Sequence, residues 1–250
     1  MKRRTLLYSL ACCMAVASVP GAEVKPLVAL DIGHTIRHPG ADSARGVGEY
    51  HFNRRIVQAL SESVKNSGKV DALIINPEGK PISLHERTRR AAKRSAVLFL
   101  SVHHDSVQRH YLKEWEVNGK TQRYSDKFKG FSIFFSRKNP KSAESLRFAR
   151  FLGAAMVARG FSPTLHHAEQ IPGEGRNLVD KDFGLYEFDD LVVLKTAAMP
   201  AVLLECGVIV NRSEEASLQT PEIQHRIADA AAEAIVKFFH LRTDSAKQGP

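Results

Sequence analysis

The chain has 250 residues, 43% of them hydrophobic and 25% charged. This is an ordinary globular composition that supports a sizeable core and excludes a disordered or low-complexity polypeptide. Its formal charge is +9 with no nucleic-acid-binding motif, so the basic balance suits an acidic polymer or an anionic surface, or is simply a solvated face.

Residues 1–22 read as a signal peptide. Lys2-Arg3-Arg4 precede an apolar run from Leu6 to Val16, too short to span a bilayer, and Ala15-Val16-Ala17 offers a cleavage site, with Ala22 as a second option. Arg3-Arg4 loosely matches a twin-arginine signal, so the general and the twin-arginine routes both stay open. Loss of the segment removes three basic residues and lowers the charge to +6. It also removes Cys12 and Cys13, which leaves Cys206 alone and no internal disulfide. The expected product is exported, periplasmic or otherwise secreted, with no membrane span once the signal is gone. Its stability then rests on core burial and on any bound metal.

Along the remaining chain, Val28 to Ile32 is an apolar, strand-like run. From Glu49, the residues Phe52, Ile56, Leu60 and Val64 recur every four positions and Gly68 follows, which predicts an amphipathic helix with a stop signal. Val70–Ile75 reads as a strand, Ser83 to Glu86 as a capping box opening a basic helix through Arg94, and Ala96–Val102 as a buried strand. Residues 107–129, basic and carrying the only tryptophan, Trp115, read as an insertion: a mobile surface hairpin or a substrate-contacting flap. Gly130–Ser136 is another strand, and Pro140 starts a long helix that ends at Gly160. A polar loop spans 166–182, Leu191–Leu194 and Ala201–Leu204 read as strands, and Thr220-Pro221 opens the last helix. Alternating strands and helices predict a single α/β domain over 23–241, a twisted, mostly parallel sheet with helices on both faces, followed by a flexible tail at 242–250.

Three apolar runs end on side chains able to serve a metal: Val28 to His34, Leu98 to His103, and Ala201 to Glu205. Glu49 stands at a helix start. Open α/β sheets build their sites outside the carboxyl ends of strands, so two imidazoles and two carboxylates are expected to converge there. A catalytic zinc takes three protein ligands and keeps a water. Two histidines and one carboxylate meet that count, and a second, unligated carboxylate can take the proton of the attacking water. Strand-end histidines also serve purely structural roles, and these residues form no local motif.

The stretch Asp31-Ile32-Gly33-His34-Thr35-Ile36-Arg37-His38-Pro39-Gly40-Ala41 resembles the first motif of the zinc-dependent N-acetylmuramoyl-L-alanine amidases, the amidase-3 group of peptidoglycan hydrolases. Gly46-Val47-Gly48-Glu49, Leu100-Ser101-Val102-His103-His104-Asp105 and Met199-Pro200-Ala201-Val202-Leu203-Leu204-Glu205-Cys206-Gly207, followed by Asn211, resemble the family's later motifs in the same order. The resemblance implies one Zn2+ per chain held by His34, Glu49 and His103, with Glu205 as the catalytic carboxylate. It also implies peptidoglycan as partner and cleavage of the amide between N-acetylmuramic acid and L-alanine. An activator protein is left open. A zinc hydrolase of another amide or peptide, and a non-catalytic wall-binding protein of the same fold, are the alternatives.

The chain departs from the family pattern at Ile32, Thr35-Ile36, His38 and His104. His104 competes with its neighbour for the ligand role; strand alternation sends the two side chains to opposite faces, and the resemblance selects His103. The 166–182 loop is too short for the inhibitory helical insertion of some members. Cys206 reads as a buried small residue in preference to a nucleophile, and His166-His167 as a solvent-exposed loop pair in preference to a second metal site; Arg176 and Lys195 read either as holders of the acidic stem peptide or as surface charges.

Overall fold

The apolar runs of this sequence become the central strands of a sheet covered on both faces, which is why they read as nearly continuous hydrophobic segments. The computed structural model describes residues 24–247, with side chains to Leu241; the signal segment expected at 1–22 and residues 248–250 lie outside the described residues. In chain order the elements are β1 (Leu27–Ile32), α1 (Glu49–Asn66), β2 (Asp71–Ile75), α2 (Leu84–Lys93) and β3 (Leu98–Asp105). A hairpin of β4 (Lys113–Val117) and β5 (Lys120–Tyr124) follows, then β6 (Ser132–Phe135), α3 (Ser142–Ala158), β7 (Asn177–Asp180) and β8 (Leu185–Glu187). The chain ends with α4 (Val192–Thr196), β9 (Ala201–Val208), α5 (Arg212–Leu218) and α6 (Pro221–Lys247). The last helix runs to Lys247.

Seven strands form one sheet in the order β2-β1-β3-β9-β6-β8-β7. Pairing is parallel except between β6 and β9 and between β7 and β8. Strand alternation sorts the core into two layers. Leu98, Leu100 and Val102 of β3 pack with Phe52 and Ile56 of α1, Phe148 of α3 and Ile235 of α6. Phe99 of β3 and Leu203 of β9 face the other layer, with Ala91 of α2 and Leu194 of α4.

Residues 191–194, expected as a strand, instead enter α4. Both edges of β9 are already taken by β3 and β6, so the apolar run just before it cannot pair beside β9. It buries Val193 and Leu194 as a short helix against that second layer. The 107–129 segment is a hairpin turned at Asn118-Gly119, both with positive φ, the pair favoured for a tight two-residue turn. It is fastened down: Trp115 Nε1 donates to the Ala44 carbonyl at 2.8 Å and Ser125 N to Val210 O at 2.9 Å.

Candidate metal centre and active site

Glu49 occupies the first turn of α1, where the free backbone amides favour an anion. Its carboxylate lies between two imidazoles, Oε2 at 2.8 Å from His34 Nε2 and Oε1 at 2.9 Å from His103 Nδ1. One ligand atom from each of His34, Glu49 and His103 lies within 4.8 Å of the others. Burial opposes the charge on Glu49, but its contacts with His103 and His34 outweigh burial and hold the carboxyl well below its usual range.

The backbone is shaped to let these side chains meet. A Cβ on Gly33 would stand 2.5 Å from the His103 ring, and one on Gly40 would stand 2.4 Å from Glu49 Oε2 and 2.6 Å from His34. Gly40 also has φ +84°, and His34 itself sits at φ +66°, a conformation uncommon for a residue with a side chain. At Thr35-Ile36, one of the departures from the family pattern, Thr35 closes the turn. Its N donates to His38 O at 3.1 Å and its Oγ1 accepts from His38 N at 3.1 Å, while Ile36 is left exposed.

A buried ion pair holds His34 in place. Arg87 of α2 donates to Asp31 Oδ1 at 2.7 Å, to Ile32 O at 2.6 Å and to His34 O at 2.5 Å, and Ser101 Oγ donates to Asp31 Oδ2 at 2.8 Å. Asn53, one helical turn beyond Glu49, donates through Nδ2 to Glu49 Oε1 and Gly33 O. Sequence reasoning assigned no role to Arg87 or Asn53. The signal for Asn53 was a polar side chain on the apolar stripe of α1, between Phe52 and Ile56.

The neighbours His103 and His104 part company as alternation requires. His104 shares parity with Leu98, Leu100 and Val102, points under α1 beside Phe52, and meets Asn53 Oδ1 through Nδ1 at 2.7 Å. Burial lowers its pKa to about 3, so the ring is neutral and Nδ1–H donates to Asn53. His104 does not reach the cluster of His34 and Glu49 through its side chain; its backbone N donates to Glu49 Oε1 at 3.1 Å.

Glu205 pairs in register with His103 across β3 and β9. Its Oε2 is shielded from solvent and makes no hydrogen bond. Burial first, then the charges of Asp105 and Glu49, push its pKa well above the ordinary value. His103 and Glu205 line a cleft of about 230 Å³ together with Phe134, His167, Glu174, Arg176 and Phe188. Arg176 lies 3.8 Å over the Phe188 ring on that wall. Cys206 is buried, and burial raises its thiol pKa, which disfavours the reactive thiolate.

The pair His166-His167 is not exposed. His166 is buried and His167 nearly so, and both face Asp105, which lies just past a register shift in β3. Asp105 Oδ2 lies 2.7 Å from His167 Nε2 and 3.3 Å from His166 Nε2.

A protein-family model described as N-acetylmuramoyl-L-alanine amidase, Amidase_3, matches residues 28–237. The N-acetylmuramoyl-L-alanine amidase AmiA of Escherichia coli K12 is 27% identical over 256 residues, covering 86% of this chain and 77% of that protein. Among solved structures, the catalytic domain of CwlV, an N-acetylmuramoyl-L-alanine amidase from Bacillus (Paenibacillus) polymyxa, aligns with TM-score 0.66 at 22% identity, over 86% of this chain and 98% of that one. An N-acetylmuramoyl-L-alanine amidase from Clostridium difficile 630 aligns with TM-score 0.66 at 20% identity, over 86% and 97%. The structural likeness shows the shared fold, and the family model spans most of the chain: it belongs to the Amidase_3 family of N-acetylmuramoyl-L-alanine amidases.

Proposed function

We propose that this protein is an exported zinc amidase that hydrolyses the bond between the lactyl group of N-acetylmuramic acid and the L-alanine of peptidoglycan stem peptides. The observation that carries the reading is the placement of Glu205, whose Oε2 makes no hydrogen bond, as the register partner of His103 in a cluster of two imidazoles and one carboxylate. Two nitrogens and one oxygen within 4.8 Å suit a tetrahedral ion with one position left for water, and the missing side chains at Gly33 and Gly40 leave the donors room to converge.

Zinc bound there would supply a Lewis acid and lower the pKa of water. His34, Glu49 and His103 would hold the ion; Asn53 and the His104 amide fix the Glu49 carboxylate. Glu205 takes a proton from the attacking water as its oxygen bonds to the lactyl carbonyl carbon. As the C–N bond breaks, Glu205 returns that proton to the alanine nitrogen. The products are the lactyl carboxylate and a free amine. Phe134 and Phe188 give the cleft an apolar wall, and Arg176 offers a positive charge to the acidic stem peptide.

Export rests on Lys2-Arg3-Arg4 and the apolar run behind them, and no helix among the described residues is long and apolar enough to cross a membrane. Mass spectrometry of cell wall digested with residues 23–250 tests the proposal. Intact stem peptides with a free alanine amine are expected. Fragments cut within the stem, or an unaltered wall, would overturn it.

A further inference from the structure

A second set of donor atoms converges beyond the first, at the end of β3, and the amidase chemistry makes no use of it. One ligand atom from each of Asp105, His166 and His167 lies within 4.8 Å of the others. We propose that these three residues form a second binding site for a divalent ion of the zinc class, which fastens the 164–176 loop to the end of β3 along the wall of the cleft.

Three observations support this. First, both rings have their outer nitrogens engaged. His166 Nδ1 meets Thr164 Oγ1 at 2.8 Å, and His167 Nδ1 meets Glu174 Oε2 at 2.9 Å. Glu174 is held in turn by Gln108 Nε2 at 2.9 Å. Ligating histidines characteristically have such an outer partner, because it fixes the tautomer and leaves the other nitrogen's lone pair for the metal. Both Nε2 atoms then face the same Asp105 Oδ2.

Second, His166 Nε2 is buried without a hydrogen bond, on a side chain only 2% exposed. An unmet buried nitrogen is unfavourable, and a metal bond would meet it. An ion pair between His167 and Asp105 accounts for two of the three residues and leaves this nitrogen stranded. Third, the rings are held rigidly: Phe128 stacks on His166 at 4.9 Å, and Phe134 packs edge-on to His167 at 5.0 Å. Two imidazoles and a carboxylate form a borderline donor set that suits Zn2+, Co2+ or Ni2+ over Mg2+ or Ca2+.

The test is metal stoichiometry on the full chain, loaded with Zn2+, freed of excess by gel filtration and measured by inductively coupled plasma mass spectrometry. The wild type is expected to hold two ions, His34→Ala one, and the double variant His166→Gln/His167→Gln one. Asp105→Asn, which preserves side-chain size, provides a second variant should the double variant fail to fold by circular dichroism; it too is expected to hold one. On Co2+ loading, His34→Ala is expected to keep the visible absorption of a tetrahedral nitrogen-oxygen site. A single ion in the wild type that disappears in His34→Ala overturns the proposal. So does an unchanged count in folded His166→Gln/His167→Gln or Asp105→Asn protein.

Discussion

Glu205 on β9 and His103 on β3 are direct register partners in adjacent parallel strands, so their side chains leave the sheet on the same face at its carboxyl edge. The reach of the proposed base to the proposed ligand is therefore set by strand register. Glu205→Gln preserves shape and removes the proton carrier, so turnover on peptidoglycan should fall about 10²–10⁴-fold. Zinc content, measured by mass spectrometry, should stay at the wild-type value. A variant with full zinc and full activity would remove Glu205 from the mechanism.

Gly40 is the point where backbone and ligands come closest. Gly40→Ala introduces a Cβ 2.4 Å from Glu49 Oε2 into a left-handed conformation at φ +84°. The strain is on the order of 1–3 kcal/mol. The variant should unfold at lower denaturant and show weaker zinc affinity by competition with a chelator, since His34 lies 2.6 Å from the same Cβ. Unchanged affinity would mean that the 35–40 loop yields without disturbing the ligands.

Much of this centre was legible in the sequence because strands have a period of two. The parity that buries Leu98, Leu100 and Val102 also buries His104, and so separates it from His103. The apolar runs marked β1, β3 and β9, and Glu49 announced itself at the start of an amphipathic stripe. What escaped was long-range and polar. Nothing near Asp31 signals that its partner is Arg87, because the pair forms only when α2 packs beneath the end of β1. His166-His167 lies in a polar loop, and its approach to Asp105 at the irregular end of β3 leaves no local pattern. The α4 run reads as a strand because its residues favour one, and only the filled edges of β9 prevent it.

The Asp31–Arg87 pair should matter more for stability than its place outside the ligand set suggests. Both side chains are almost fully buried, 1% and 3% exposed. Arg87→Met leaves the Asp31 charge unpaired in the interior, and removing one partner of such a pair costs about 3–5 kcal/mol. It also frees the His34 carbonyl. Urea titration of the metal-free protein should show that loss, and the double variant Asp31→Leu/Arg87→Met should recover part of it. A double variant no better than Arg87→Met would show that the hydrogen bonds to Ile32 O and His34 O carry the effect, with the charge pair secondary.

Glu214 on α5 predicts how stability should vary with pH. Burial raises its pKa to about 7, although Val208 N and Gly130 N donate to the carboxylate and oppose the shift, with a weaker contribution from the charge of Lys129. The unfolded chain ionises near the ordinary value of 4.5, so between pH 4.5 and 7 the folded state binds the extra proton. Stability from this group is therefore fully present below 4.5 and declines as pH rises through 7, by roughly 3 kcal/mol at about 1.4 kcal/mol per pKa unit. Glu214→Gln retains an acceptor for the two amides and removes the titration. Unfolding free energies measured from pH 4.5 to 8 should fall more steeply in the wild type than in this variant, with the two curves diverging across that window. Parallel curves would mean that Glu214 is ionised in the folded protein throughout, held so by the two amides at 2.8 and 2.9 Å.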